Sequence, residues 1–247
     1  MDGRTVGIVG GGQLGRMMAE AGLRLGVKVA ILDPLGSKSP AGEVASIAIE
    51  GSGMLADAVE AKVRALAAVS DVVTIEIEHV DTKVLAALEA SGVCVRPSAA
   101  TIAVIQDKYR QKVHLAQAGV PMSDFLEAPT LESMATIGAT FGYPFMLKSR
   151  TGAYDGNGNF VVASLGDGAA GFAKLSGDAH GLYAERWVPF AKELAVMVVR
   201  SEAELCLYPV VETTQHNSIC HTVKGGTPSN FTALQQESAH TRSHSAS

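Results

Sequence analysis

Residues 10–15, Gly10-Gly11-Gly12-Gln13-Leu14-Gly15, fit the spacing G-x-G-x-x-G, follow the apolar run Thr5–Val9 and open an amphipathic stretch. Glycines let a backbone approach an anion closely, and the first turn of a helix offers unpaired N–H groups carrying partial positive charge. Asp33 closes the next apolar run about twenty residues on, where a dinucleotide fold places a carboxylate for the ribose. Three readings of the turn stand on these residues alone: a tight turn that binds nothing, a phosphate seat, and a full NAD(P) site serving an oxidoreductase. Downstream, Thr74-Ile75-Glu76-Ile77-Glu78-His79 sets Glu76 and Glu78 two residues apart, on one face at the C-terminal end of a parallel strand. Open α/β sheets bind ligands outside those strand ends. An acid there either meets a ligand or merely solvates a fraying strand, and the nearby glycine turn favours a ligand for Glu76.

A second group surrounds the glycine loop 152–158, led in by Lys148 on the apolar run Phe145–Lys148. A loop of this length exceeds the roughly two to five residues of an ordinary hairpin, and excess loop length is more often functional. Its N–H groups could fold over a polyphosphate while the strand lysine supplies a point charge; a flexible surface hairpin is the plainer alternative. Asp155 inside the loop cannot attract phosphate, so it should meet something cationic or hydrogen-bond donating. Further on, Arg186, Lys192 and Glu193 flank Trp187-Val188-Pro189-Phe190. Glu185, Trp187 and Glu193 would suit an apolar wall for a base and carboxylates for ribose hydroxyls, although an exposed turn with incidental salt bridges fits equally well. His216 and His221 have no Cys or acid at ligand spacing, so no metal ligands are expected among them, nor from His240 and His244.

Up to about Ser98, β-branched runs alternate with helical patterns. The strands are Thr5–Val9, Val27–Leu32 and Asp71–Ile77; the helices are Gln13–Leu25, Met54–Val69 and Thr82–Ala90. That alternation predicts βαβ units around a parallel, Rossmann-like sheet over residues 1–100. Pro97-Ser98 then offers a turn and an N-cap for a helix from Ala99. Lys108–Ala118 and Thr130–Phe141 read as helices closed by Gly119 and Gly142. Strands follow at Phe145–Lys148, Phe160–Ala163, Leu182–Glu185, Glu193–Arg200 and Leu205–Glu212, with a helix at Ala169–Leu175 among them. This order predicts an α+β second domain over 101–223. Residues 224–247 carry too few apolar side chains to offset the entropy of ordering and read as a disordered tail.

The 247 residues hold 25 acidic against 20 basic side chains, a net charge of −5 with 47% apolar residues, which predicts a folded chain and argues against nucleic acid as partner. No run approaches the ~18 apolar residues of a membrane span, and Met1-Asp2-Gly3-Arg4 leads into a strand without a signal-peptide core. A soluble, cytoplasmic protein without a membrane partner is expected. Cys94, Cys206 and Cys220 are odd in number and widely spaced, so they read as ordinary thiols.

In order along the chain, Gly10–Met17 (GGGQLGRM), Thr74–Val80 (TIEIEHV), Ile105–Lys112 (IQDKYRQK), Leu147–Asn159 (LKSRTGAYDGNGN), Tyr183–Val196 (YAERWVPFAKELAV) and Tyr208–Val223 (YPVVETTQHNSICHTV) resemble the ATP-grasp family of N5-carboxyaminoimidazole ribonucleotide synthetases. The likeness is strongest to the form fused at the N-terminus of eukaryotic phosphoribosylaminoimidazole carboxylases. It implies a pre-ATP-grasp domain followed by an incomplete ATP-grasp domain, and a step of purine biosynthesis in which ATP and bicarbonate carboxylate 5-aminoimidazole ribonucleotide. By the same resemblance, Lys108 and Lys148 would hold ATP phosphates under the loop containing Gly156, Asn157 and Gly158. Glu185, Arg186, Trp187 and Val188 would line the adenine pocket by side chain and backbone, with Glu193 on the ribose and either Gln215, preferred by position, or His216 at the nucleotide. Gln13, Leu14 and Glu76 would hold the ribonucleotide, with Tyr154 and Asp155 closing beside the reacting centre. A homodimer is the assembly to test.

Three departures from the family pattern accompany this. Asn157 stands where Arg or Lys is usual, and Gln215 where His is common, with His216 next to it. The family continues beyond Val223 with acidic Mg²⁺ ligands and basic residues for the substrate phosphate, none of which is recognisable here. Impaired turnover is therefore expected, with a non-catalytic nucleotide-binding or regulatory module as the alternative. The resemblance moves ATP to the second domain and leaves the NAD(P) reading remote.

Overall fold

Where the sequence alternates apolar and amphipathic runs, the computed structural model, which describes residues 3–51, 59–153, 157–175, 181–201, 203–216 and 219–225, alternates strands and helices. The first part holds β1 (Thr5–Val9), α1 (Gln13–Arg24), β2 (Lys28–Asp33), β3 (Ile47–Glu50), α2 (Val59–Ala68), β4 (Val72–Ile75), α3 (Thr82–Ala90) and α4 (Ala99–Gln106). The second begins with α5 (Lys108–Gln117), β5 (Phe125–Glu127), α6 (Ser133–Phe141), β6 (Phe145–Ser149), β7 (Asn159–Val162), α7 (Gly168–Lys174) and β8 (Leu182–Arg186). It continues through β9 (Glu193–Ala195), β10 (Val198–Arg200), β11 (Leu205–Leu207), β12 (Val211–His216) and β13 (Ile219–Gly225).

The first four strands form a parallel sheet in the order β3-β2-β1-β4. Neighbouring side chains along each strand serve opposite cores. Ile8, Val29 and Ile31 pack with Ala19 of α1 and with Ala41, whereas Val9, Ala30, Leu32 and Val73 pack with Leu66 of α2, Leu85 and Leu88 of α3 and Ile102 of α4. Period-two alternation between two covered faces is why these strands read as unbroken apolar runs. Each fully buried Ile or Leu contributes roughly 1.5–3 kcal/mol of transfer free energy. The chain steps from β1 outward to β2 and β3, then returns to set β4 on the other side of β1. The crevice at the carboxyl ends of β1 and β4 is thus the topological switch point, the usual ligand position in an open sheet.

The second sheet is antiparallel, in the order β5-β8-β6-β7. Phe145 and Leu147 of β6 and Leu182 and Ala184 of β8 face Met134 and Ile137 of α6. β9, β12 and β13 make a three-stranded sheet, and β10 pairs with β11. Helix ends follow the expected chemistry. Ser98 caps α4 by accepting the Thr101 N–H, Asp107 caps α5 by accepting the Arg110 N–H, and Gly119 and Gly142 close α5 and α6 with left-handed φ of 74°.

Several expectations are corrected. β3, β5 and β13 have no counterpart in the predicted elements. The predicted strand Glu193–Arg200 is two strands, β9 and β10. The predicted strand Leu205–Glu212 is also two, β11 and β12, and the break contains Pro209, which has no N–H for a ladder. β13 runs through Lys224 and Gly225, past the expected start of the tail. Residues 52–58, the start of the helix predicted from Met54, and the rest of the tail lie outside the described residues.

Candidate functional site

At the switch point, β4 ends at Ile75 and the chain turns, so Glu76 and Glu78 are not neighbours on a strand face as the spacing predicts. Glu76 bends back over the glycine turn. Its Oε2 accepts the Gly12 N–H at 2.7 Å and its Oε1 the Leu14 N–H at 3.1 Å. Asp33 accepts the Gly11 N–H at 3.0 Å and the Leu35 N–H at 2.9 Å. The Gly11, Gly12 and Leu14 N–H groups are therefore held by the chain's own carboxylates, and a phosphate on them would have to displace a like charge. This counts against the phosphate-seat and dinucleotide readings of the turn. Gly10 explains the need for glycine: its φ is 115°, and an added Cβ would meet Glu76 Oε2 at 2.6 Å.

The crevice beside them is a cavity of about 230 Å³ whose lining includes Gly10, Gly12, Asp33, Pro34, Glu76 and His79. That volume suits one ring system, below the roughly 300–1,000 Å³ of sites that enclose a drug-sized ligand. Gln13 and Leu14 are exposed on the first turn of α1. Glu78 faces away, 3.8 Å from His79 Nε2. Gln106 anchors this loop by donating from Nε2 to the carbonyls of Glu78 at 2.6 Å and Val80 at 2.7 Å.

The second site lies on the β6–β8 pair. The register sets Met146 opposite Glu185 and Lys148 opposite Tyr183, so Lys148 and Glu185 share the sheet face turned away from α6. Lys148 Nζ is 3.3 Å from Glu185 Oε1, and Lys112 Nζ of α5 is 3.3 Å from Glu185 Oε2. The Ser123 hydroxyl donates to the same Oε2 at 3.2 Å. The Glu185 side chain is only 14% exposed. Burial pushes its carboxyl up, but the charges of Lys148 and Lys112, with hydrogen bonds from Tyr183 and Lys148, outweigh that and hold it below the ordinary range. Tyr183 is pushed far above the usual phenol range by burial and by the Glu185 charge. Two ammonium groups around one carboxylate leave a net positive pocket, which suits a polyanion.

Arg186 does not join them. Strand alternation turns it to the opposite face, where it donates to Asp124 at 2.8 Å and to the Phe141 carbonyl at 3.1 Å. Arg186 can therefore line the same pocket as Glu185 through its backbone alone, because adjacent residues of a strand point to opposite sides.

Lys108 opens α5 and donates from Nζ to the Ala153 carbonyl at 3.3 Å, at the start of the glycine loop; its N–H bonds the Arg150 carbonyl at 2.9 Å. Arg150, directly after β6, clamps Asp107 through both carboxylate oxygens and lies 5.0 Å over the Tyr109 ring. β6 and β7 pair antiparallel across the loop, as the sequence predicts. Gly158 is buried and its carbonyl accepts the Ser149 N–H, whereas Asn157 is exposed. Tyr154, Asp155 and Gly156 lie outside the described residues.

Trp187 and Val188 follow β8 and are 41% and 49% exposed. Glu193 and Gln215 come together across β9 and β12, with Gln215 Nε2 donating to Glu193 Oε1 at 3.0 Å, while the His216 ring lies against His221. Among the described residues, no group of three or more His, Cys, Asp or Glu side chains is placed to hold a metal ion. Lys112, Ser123, Asp107 and Arg150 are not among the residues singled out from sequence. The one available signal was the spacing of Lys108 and Lys112, which puts both on one helix face.

Comparison with known proteins follows this division. The family model for the ribonucleotide synthetase preATP-grasp domain matches residues 3–106, and that for the ATP-grasp domain matches residues 113–246. The phosphoribosylaminoimidazole carboxylase of Ogataea methanolica is 46% identical over 226 residues, covering 90% of this chain and 41% of the relative. The N5-carboxyaminoimidazole ribonucleotide synthase of Synechococcus elongatus is 37% identical over 220 residues, covering 88% of this chain and 54% of the relative. The crystal structure of N5-carboxyaminoimidazole synthase from Aspergillus clavatus, in complex with ADP and 5-aminoimidazole ribonucleotide, superposes with a TM-score of 0.84 at 41% identity, covering 96% of this chain and 60% of that one. The chain spans less than two thirds of each of these relatives. With one model accounting for the glycine turn and Glu76 and the other for Lys148 and Glu185, the chain belongs to the ATP-grasp family and carries a ribonucleotide synthetase preATP-grasp domain ahead of its ATP-grasp domain.

Proposed function

We propose that this chain binds ATP and 5-aminoimidazole ribonucleotide and serves the bicarbonate-dependent carboxylation of that ribonucleotide in purine biosynthesis. The observation that carries the reading is the Lys148–Glu185–Lys112 cluster beside the base of the glycine loop, in a chain whose relatives are synthases and carboxylases of this substrate. In the proposed reaction the γ-phosphoryl group passes to bicarbonate, and the ribonucleotide amine then takes the carboxyl group, losing a proton as phosphate leaves.

Lys148 and Lys108 supply charge to the phosphates, and the loop with Asn157 and Gly158 covers them, excluding water from an unstable acyl phosphate. The backbone after Glu185, through Arg186, Trp187 and Val188, takes the adenine, and Glu193 with Gln215 takes the ribose. Across the crevice, Gln13, Leu14 and Glu76 hold the ribonucleotide; Tyr154 and Asp155 are assigned to the reacting centre by resemblance. Mg²⁺, when bound, neutralises charge between the β- and γ-phosphates. The described residues offer it no cluster, so no step is assigned to it here.

Asn157, which supplies no charge to the phosphates where Arg or Lys is usual, favours a second reading, a nucleotide-binding module without turnover. Phosphate release that requires both bicarbonate and the ribonucleotide supports catalysis; ADP and ribonucleotide binding by calorimetry without release supports the module; absence of binding rejects both. We place the protein in the cytoplasm on its composition. No helix among the described residues is long and apolar enough to cross a membrane. A homodimer is the assembly proposed, which sedimentation showing only monomer would reject.

A further inference from the structure

Lys108 and Lys112 stand one turn apart on α5 and reach in different directions. Lys108 goes to the glycine loop, whereas Lys112 Nζ lies 3.3 Å from Glu185 Oε2 and 3.4 Å from Ser123 Oγ. The Glu185 carboxylate is thereby divided, with Oε1 held by Lys148 and Oε2 by Lys112 and Ser123. We propose that Lys112 is a positioning residue for nucleotide binding: it holds Glu185 by its second oxygen, so that Lys148 is free to exchange the carboxylate for a phosphate oxygen. This rests on the reading of the β6–β8 face as the ATP seat.

The groups facing Glu185 are Lys112 from α5, Ser123 from the segment before β5, Lys148 from β6 and Tyr183 from β8 itself. Once Lys148 turns to a phosphate, a carboxylate only 14% exposed needs another cation, or it stands unpaired beside a polyanion. Lys112, 19% exposed, is the cation that remains, and Ser123 adds only a neutral donor. Without Lys112, Lys148 is the sole ammonium on Glu185, and the nucleotide must both break that pair and face the bare charge.

The test is calorimetric binding of ADP to the whole chain and to Lys112→Met, Lys112→Arg, Glu185→Gln and the double variant Lys112→Met with Glu185→Gln. Lys112→Met should weaken ADP binding by about tenfold, equivalent to ~1.4 kcal/mol, and Lys112→Arg should retain most of the affinity. Against Glu185→Gln alone, the double variant should bind ADP within about twofold, because the charge that needed holding is gone. A Lys112→Met affinity within about twofold of the unaltered chain, a difference of ~0.4 kcal/mol, overturns the proposal. So does a double variant about tenfold weaker than Glu185→Gln alone, since Lys112 would then touch the nucleotide itself or only support the fold. A second readout needs no nucleotide. In a carbon-13 titration of the Glu185 carboxyl, Lys112→Met should move the midpoint up, and an unmoved midpoint overturns the proposal. If the midpoint moves but the unaltered chain binds no ADP, the ATP reading alone fails. Should Lys112→Met not fold, Ser123→Ala serves instead. The loss of one neutral hydrogen bond is expected to weaken ADP binding about threefold, and no change counts against the proposal.

Discussion

Replacing Glu76 by Ala removes a carboxylate that closes the glycine turn onto α1 through two hydrogen bonds, at 2.7 Å to Gly12 and 3.1 Å to Leu14. A typical hydrogen bond contributes about 1 kcal/mol net. The Gly12 bond is partly buried and counts fully, whereas the exposed Leu14 N–H regains water and counts for less. The expected loss is about 1 to 2 kcal/mol, which for a domain of about 100 residues lowers Tm by roughly 5–15 °C. Thermal unfolding followed by circular dichroism reads this directly. Glu78→Ala is the control, since its carboxylate has only His79 at 3.8 Å and should change stability by less than about 0.5 kcal/mol. If Glu76→Ala melts within about 2 °C of the unaltered chain, too little for either hydrogen bond, the account of the turn is wrong.

Gly10→Ala forces a side chain onto a φ of 115° and into Glu76, and should weaken ribonucleotide binding by at least about tenfold while ADP binding is kept, read by calorimetry with each ligand. Gly171→Ala places a methyl 2.7 Å from the Phe160 ring and 3.3 Å from Leu147; overpacking of about 1–3 kcal/mol should outweigh the helix-propensity gain of up to ~1 kcal/mol and lower the urea midpoint. Burial pushes the Asp107 carboxyl up, but Arg150 and the N–H groups of Arg110 and Tyr109 hold it below its ordinary value. The stability it contributes is present above about pH 4 and is lost as pH falls through the folded value. Asp107→Asn should therefore be less stable than the unaltered chain at pH 7, with urea midpoints converging on acidification; parallel curves would contradict the assignment.

The parallel half of the fold was legible because burial on two faces writes itself into the sequence as apolar runs, and Ser98, Gly119 and Gly142 mark helix ends by their chemistry. β3 and β5 were not, because four residues such as Ile47–Glu50 and three such as Phe125–Glu127 are too short to show a period. Lys148 and Glu185 were legible individually as a charge before a glycine loop and an acid at a strand end. That Lys112 joins them was not, since it comes from a helix whose packing against the β6–β8 face is a tertiary fact. Arg186 follows Glu185 directly, yet one step along the strand reverses the face and takes its side chain to Asp124 and the Phe141 carbonyl. At the first turn the glycines were read correctly as permitting close approach, but the anion that approaches is Glu76 of the chain itself.

The most direct test of the account is a crystal structure of the chain with ADP. The account places the diphosphate at Lys148 and Lys108, with the adenine following Glu185 across β8. Density for the nucleotide only against the first turn of α1, displacing Glu76, would contradict it.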